Sequence, residues 1–147
     1  MEQLSTVNLI MVKLMKRIIS LITLILLTFS LFSCSGGEKI QKVYYGEDEF
    51  DKTMLQNVKI EELINDANKY SLSFVSVEGE IATECSVGCW FFLKDDIGNQ
   101  MYVDLSTQNF AIPQAVGHKV KVSGIFENRA SNPRIIAYEV EFLDVKE

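Results

Sequence analysis

Two periodicities divide the chain. Between Val58 and Asn68 the apolar residues Ile60, Leu63, Ile64 and Ala67 fall at i, i+3, i+4 and i+7, which predicts one apolar helix face. Asn57 stands before it as an N-cap, and Glu61 and Glu62 lie in the first turns, where the helix dipole favours negative charge. After Tyr70 the period drops to two. From Phe74 to Ile81, Val75, Val77 and Ile81 alternate with Ser76, Glu78 and Glu80, and Gly79 marks a bend or bulge. A second strand is predicted from Trp90 to Lys94 and a third from Gln100 to Leu105, joined by the turn residues Asp95 to Asn99. Met101, Val103 and Leu105 then face the core, with Tyr102 and Asp104 outward.

Residues 106 to 117 interrupt the alternation. Pro113 and Gly117 bracket a short crossing segment, and Phe110 and Ile112 are its plugs into the core. Lys119 to Phe126 resumes it, with Val120 and Val122 inward and Gly124 as a second bend. A polar loop from Asn128 to Pro133 leads to a last strand, Arg134 to Leu143, in which Ile136, Tyr138, Val140 and Phe142 share one face. Five strands, a glycine bend in the first and a crossing between the third and fourth predict a mainly β fold: a small five-stranded OB-fold-like barrel with one N-terminal helix.

The region before this domain has a different character. Lys13, Lys16 and Arg17 precede an apolar run from Ile18 to Phe32, too short to span a bilayer and of the right length for a secretory signal. Leu31, Phe32, Ser33 and Cys34 then resemble the bacterial lipobox, in which the cysteine receives a diacylglycerol thioether and becomes the new N-terminus. The resemblance implies a signal peptide over residues 1–33, a tether over 34–51 rich in Gly, Ser, Lys, Glu and Asp, and the domain over 52–147. It implies export, and a lipid anchor at Cys34 in a bacterial cell-envelope membrane, facing the periplasm or the exterior.

That division changes the charge. Lys13, Lys16 and Arg17 against Glu2 give residues 1–33 a net +2, so the whole-chain charge of −6 becomes −8 once they are removed. An acidic domain repels polyphosphate, which opposes single-stranded nucleic-acid binding despite the fold's frequent use for it.

From Tyr44 to the C-terminus the chain resembles an uncharacterised family of exported bacterial OB-fold proteins. The resemblance is carried by Tyr45-Gly46, Val77 to Ile81, Cys85 with Gly88-Cys89-Trp90, Val103, Phe110, Pro113, and Gly117 to Gly124. It implies the fold and the export, and no activity.

The chemistry concentrates between Glu84 and Leu93, which hold two of the three cysteines and the single tryptophan. With Cys34 lipidated, Cys85 and Cys89 are the remaining thiols in an oxidising compartment, and three outcomes stay open. They form a structural disulfide across a short loop, or hold copper or zinc as two thiolates with His118 as a weak third ligand, or act in redox chemistry although the spacing is not Cys-x-x-Cys. No hydrolytic triad, phosphate loop or carboxylate pair is evident, so the reading is of a protein that is not an enzyme and carries no cofactor. If Phe91 and Leu93 point inward, Trp90, Phe92 and Tyr102 point outward beside Lys94 and make a face for a protein, peptide or glycan partner; a one-residue change of phase buries Trp90 and Phe92 instead.

Overall fold

The structure, a computed structural model, describes residues 11, 13–19, 39–129 and 132–146. The chain divides into two units, Met1–Gly37 and Glu38–Glu147. In the first, residues 11 and 13–19 are helical and exposed; Cys34, the lipidation candidate, lies outside the described residues. No helix among the described residues is long and apolar enough to cross a membrane.

The second unit is mainly β, and it builds on the alternation of its sequence. Its strands are β1 Val43–Tyr45, β2 Gln56–Asn57, β3 Phe74–Glu84, β4 Trp90–Lys94, β5 Gln100–Asp104, β6 Lys119–Arg129 and β7 Asn132–Phe142. Five of them close a ring. β3 pairs antiparallel with β4, β4 with β5, β5 runs parallel to β7, and β7 and β6 pair antiparallel, with β6 returning to β3. That is the strand order of an OB-fold, and the ring is barrel-like because each of the five long strands finds a partner on both sides. The sheet has seven strands rather than five because β1 adds antiparallel to β7 and β2 adds parallel to β3. The segment read as a tether therefore joins the sheet from Val43 onward.

The core sits inside the ring. Val75, Val77, Ile81, Phe91, Leu93, Met101, Val103, Leu105, Val120, Val122 and Phe126 are fully or almost fully buried in it, as the period-two pattern requires. Ile112 is buried and Phe110 packs against the same cluster, so the crossing segment closes one end.

Four expectations are corrected. The predicted helix is two short pieces, α1 Ile60–Asn65 and α2 Ala67–Tyr70, because Asp66 leaves helical geometry at φ −118°, ψ 37°. Asn57 does not cap it: Asn57 lies in β2, and Lys59 takes the cap position without a side-chain bond, while Ile64 of the predicted apolar face is exposed. In β3 the register slips between Ile81 and Thr83 rather than at Gly79, whose missing side chain instead admits the Lys94 carbonyl, 2.6 Å from where a Cβ would stand. The last strand does not present one face throughout. Ser123 pairs with Glu139 and Gly124 with Ala137, so Tyr138 is an unmatched residue at which the phase reverses. Ile135 and Ala137 before it, and Val140 and Phe142 after it, all enter the core.

Tyr138, turned out by that bulge, packs against Phe50 and Phe74 at ring-centroid distances of 5.5 and 6.0 Å. Lys52 lies over the rings of Tyr45 and Phe50 and pairs with the buried Glu139. This contact raises the Lys52 pKa, chiefly through the hydrogen bond to Glu139. The segment between β1 and β2 is thus packed onto β7 by aromatic and charged contacts.

Candidate functional site

Residues 85–89 make the turn between β3 and β4, and its two ends and Gly88 are tied down by hydrogen bonds. The Cys85 N–H bonds the Trp90 carbonyl at 2.9 Å, and the Gly88 N–H bonds the Cys85 carbonyl at 2.9 Å. The Cys89 carbonyl accepts from the N–H groups of both Leu105 and Ser106, at 3.1 and 3.2 Å. From the crossing segment, the Ile112 N–H reaches the Gly88 carbonyl at 3.2 Å, the Gln114 side-chain amide reaches the Cys85 carbonyl at 3.0 Å, and the Ala115 N–H bonds the Glu84 carboxylate at 2.9 Å. Gly88 adopts φ +70° directly against the Ile112 backbone, a conformation and a clearance that a side chain would spoil. The turn is consequently a fixed platform from which β4 departs.

Both thiols are free, and their sulfurs are 2.7 Å apart. His118, the weak third metal ligand of the sequence reading, is not joined to them. Its Nδ1 faces Asp144 at 3.1 Å and its ring packs edge-on to Phe142. Among the described residues no three His, Cys, Asp or Glu side chains converge as a metal site.

The phase of β4 is resolved by the side chains. Phe91 and Leu93 are fully buried, so Trp90, Phe92 and Lys94 project from the outer face. Cross-strand pairing then sets Phe92 opposite Tyr102 and Trp90 opposite Asp104. The three rings contact one another at centroid distances of 6.0 Å (Trp90–Phe92), 5.8 Å (Trp90–Tyr102) and 5.5 Å (Phe92–Tyr102), and each is half-buried. Burial raises the Tyr102 pKa, with the Asp104 charge adding to it, so the phenol stays protonated. Lys94 pairs with Glu80 at 3.1 Å on the rim.

Beside the rings lies a charged arrangement that pattern reading missed. Asp104, on the outward phase of β5 as expected, nevertheless keeps only 7% of its side-chain surface. It accepts from Ser106 Oγ at 2.6 Å, Thr107 Oγ1 at 3.0 Å and Arg134 Nη1 at 2.8 Å. Burial alone would raise its pKa; the Ser106 and Thr107 bonds and the Arg134 charge outweigh that and hold it below the ordinary value. Arg134 turns its other edge to Glu127, with Nη2 2.9 Å away. The signal that could have found this was Asp104-Leu-Ser-Thr, in which a carboxylate is followed two and three residues on by hydroxyls that can bond back to it.

No protein-family model matches the chain, and no curated protein matches it. Among solved structures it is similar to the hypothetical protein ygiW from E. coli, at 15% identity over 60% of this chain and 90% of that one, with a TM-score of 0.43. It is also similar to a chain named "putative aspartyl-tRNA synthetase" from Leishmania major Friedlin, at 12% identity and a TM-score of 0.47, over 66% of this chain and 22% of that one. Neither likeness carries a function to this chain.

Proposed function

We propose that the chain is a lipoprotein anchored through Cys34 to a bacterial cell-envelope membrane, and that its domain is a non-catalytic module holding a protein, peptide or glycan partner. The observation that carries the binding reading is the triplet Trp90, Phe92 and Tyr102 on the outer face of β4 and β5, with Lys94, Glu80, Asp104 and Arg134 around it. Aromatic rings supply a large contact area at small entropic cost, and ionised groups at the edge fix orientation. No bound group is needed for that role. The net acidity speaks against nucleic acid, and copper or zinc at Cys85 and Cys89 is the weaker reading because the thiols have no third ligand beside them among the described residues.

Trp90 is the single tryptophan, so its fluorescence reports on this face alone. Titration with soluble envelope oligosaccharides or peptides is expected to give a saturable change in emission, weakened about tenfold or more by Tyr102→Ala. Unchanged affinity in Tyr102→Ala and Phe92→Ala would place the partner elsewhere and sink the reading. The anchor has its own test: Cys34→Ala is expected to leave the precursor uncleaved and without lipid, and normal processing of that variant refutes it.

A further inference from the structure

We infer that Cys85 and Cys89 form a thiol–disulfide exchange site, in which Cys85 attacks a low-molecular-weight disulfide and Cys89 closes the ring. This goes beyond the binding reading and stands or falls separately from it. The two sulfurs are held side by side, 2.7 Å apart, in a turn whose backbone is fixed by the hydrogen bonds described above. They are not equivalent. The Cys89 thiol donates to the Cys85 sulfur. A donor held against one sulfur stabilises negative charge on it.

The acid–base behaviour separates the two sulfurs in the same sense as the shared bond. The Cys85 pKa is lowered, first by the Cys89 thiol and then by the backbone N–H groups. The Cys89 pKa is raised by the same shared bond, by burial and by the neighbouring Cys85 charge. Neither residue is sealed in the core: both are half-buried, with surface left through which a small disulfide can approach the pair.

The steps balance with a disulfide R–S–S–R as oxidant. The Cys85 thiolate attacks one of its sulfurs, forming a Cys85–S–S–R mixed disulfide and releasing one RS⁻. Cys89 gives its proton to water and attacks the Cys85 sulfur, forming the Cys85–Cys89 bond and releasing the second RS⁻. Two protein thiols are oxidised and one disulfide becomes two thiols. Gly88 in the intervening loop supplies the one backbone conformation of the turn that lies at positive φ.

The test uses the full chain in detergent with Cys34→Ser, so that Cys85 and Cys89 are the only thiols. Reduced protein is mixed without oxygen with oxidised glutathione and followed by intact mass. The expected product is two hydrogens lighter and carries no glutathione, whereas Cys89→Ser stops with one glutathione on Cys85, and Cys85→Ser reacts about tenfold more slowly. A second measurement keeps the folded pair intact: less than one equivalent of iodoacetamide, with the label located by peptide fragmentation, is expected on Cys85 over Cys89 by a similar ratio. Accumulation of a doubly glutathionylated chain, or label shared equally or favouring Cys89, overturns the proposal.

Discussion

Alanine at position 88 is expected to cost about 3 kcal/mol or more, while alanine at position 98 costs about 1 kcal/mol. Both glycines have positive φ, +70° and +94°, so each variant places an L side chain in the left-handed region. They differ in surroundings. A Cβ at Gly98 would meet nothing within 4 Å, whereas one at Gly88 would stand 1.8 Å from the Ile112 carbonyl oxygen. The clash is with backbone and cannot be relieved by a rotamer. The chain must separate the cysteine turn from the crossing segment, breaking the Ile112 N–H to Gly88 carbonyl bond and unseating the buried Ile112 side chain. Urea denaturation of the two variants checks the contrast, and equal costs would show that the turn and the crossing segment are not locked together.

Arg134→Met is expected to destabilise the fold by about 2–4 kcal/mol at neutral pH, because it strands a carboxylate that has little access to water. Arg134 joins Asp104 to Glu127, and so joins β5 and β6 through β7. Ser106 and Thr107 continue to donate to Asp104 in the variant, which is why the loss stays below that of a wholly unpaired buried charge. The sign of the pH dependence follows from the depressed Asp104 pKa. A carboxyl held below its unfolded value of about 3.9 adds stability above that pH, and the contribution disappears as pH falls through the folded value. Wild type should therefore lose stability on acidification below about pH 4, and Arg134→Met should lose less over the same interval, since its Asp104 is less strongly held as the anion. Denaturation midpoints at neutral and acid pH measure both effects; a neutral-pH cost below about 0.5 kcal/mol would show that water replaces the guanidinium without penalty.

The ring of strands was legible because alternation survives wherever one face is buried. Val75, Val77, Met101, Val103, Val120 and Val122 all lie where a period of two puts them. The same rule failed at Tyr138, since a bulge inserts one residue without any signal in a run of apolar and polar side chains that reads equally well in either phase. It failed on the helix because Asp66 is an ordinary polar residue on an amphipathic stretch, and only its backbone angles divide the element. β1 and β2, three and two residues long, fall below the length at which alternation can be recognised.

At the site, proximity in sequence located the cysteine turn and the aromatic face, because Cys85, Cys89, Trp90 and Phe92 are near neighbours along the chain. The direction of Trp90 was not legible in four consecutive apolar residues; it is decided by Phe91 and Leu93 filling the interior. The contact of Arg134 with Asp104 was out of reach for a different reason. It joins residues thirty positions apart through the parallel pairing of β5 and β7, which no local spacing encodes.

The pairing of Val43–Tyr45 with β7 also sets a length. A free chain from Cys34 to Asp51 could extend nearly 60 Å, at about 3.4 Å per residue. With the chain captured at Val43, the stretch from Cys34, the proposed lipidation site, to the sheet can reach at most about 30 Å. Under the proposed anchor at Cys34, a leash of that length would confine the domain to the layer nearest the membrane, so a partner would have to approach that surface to be met.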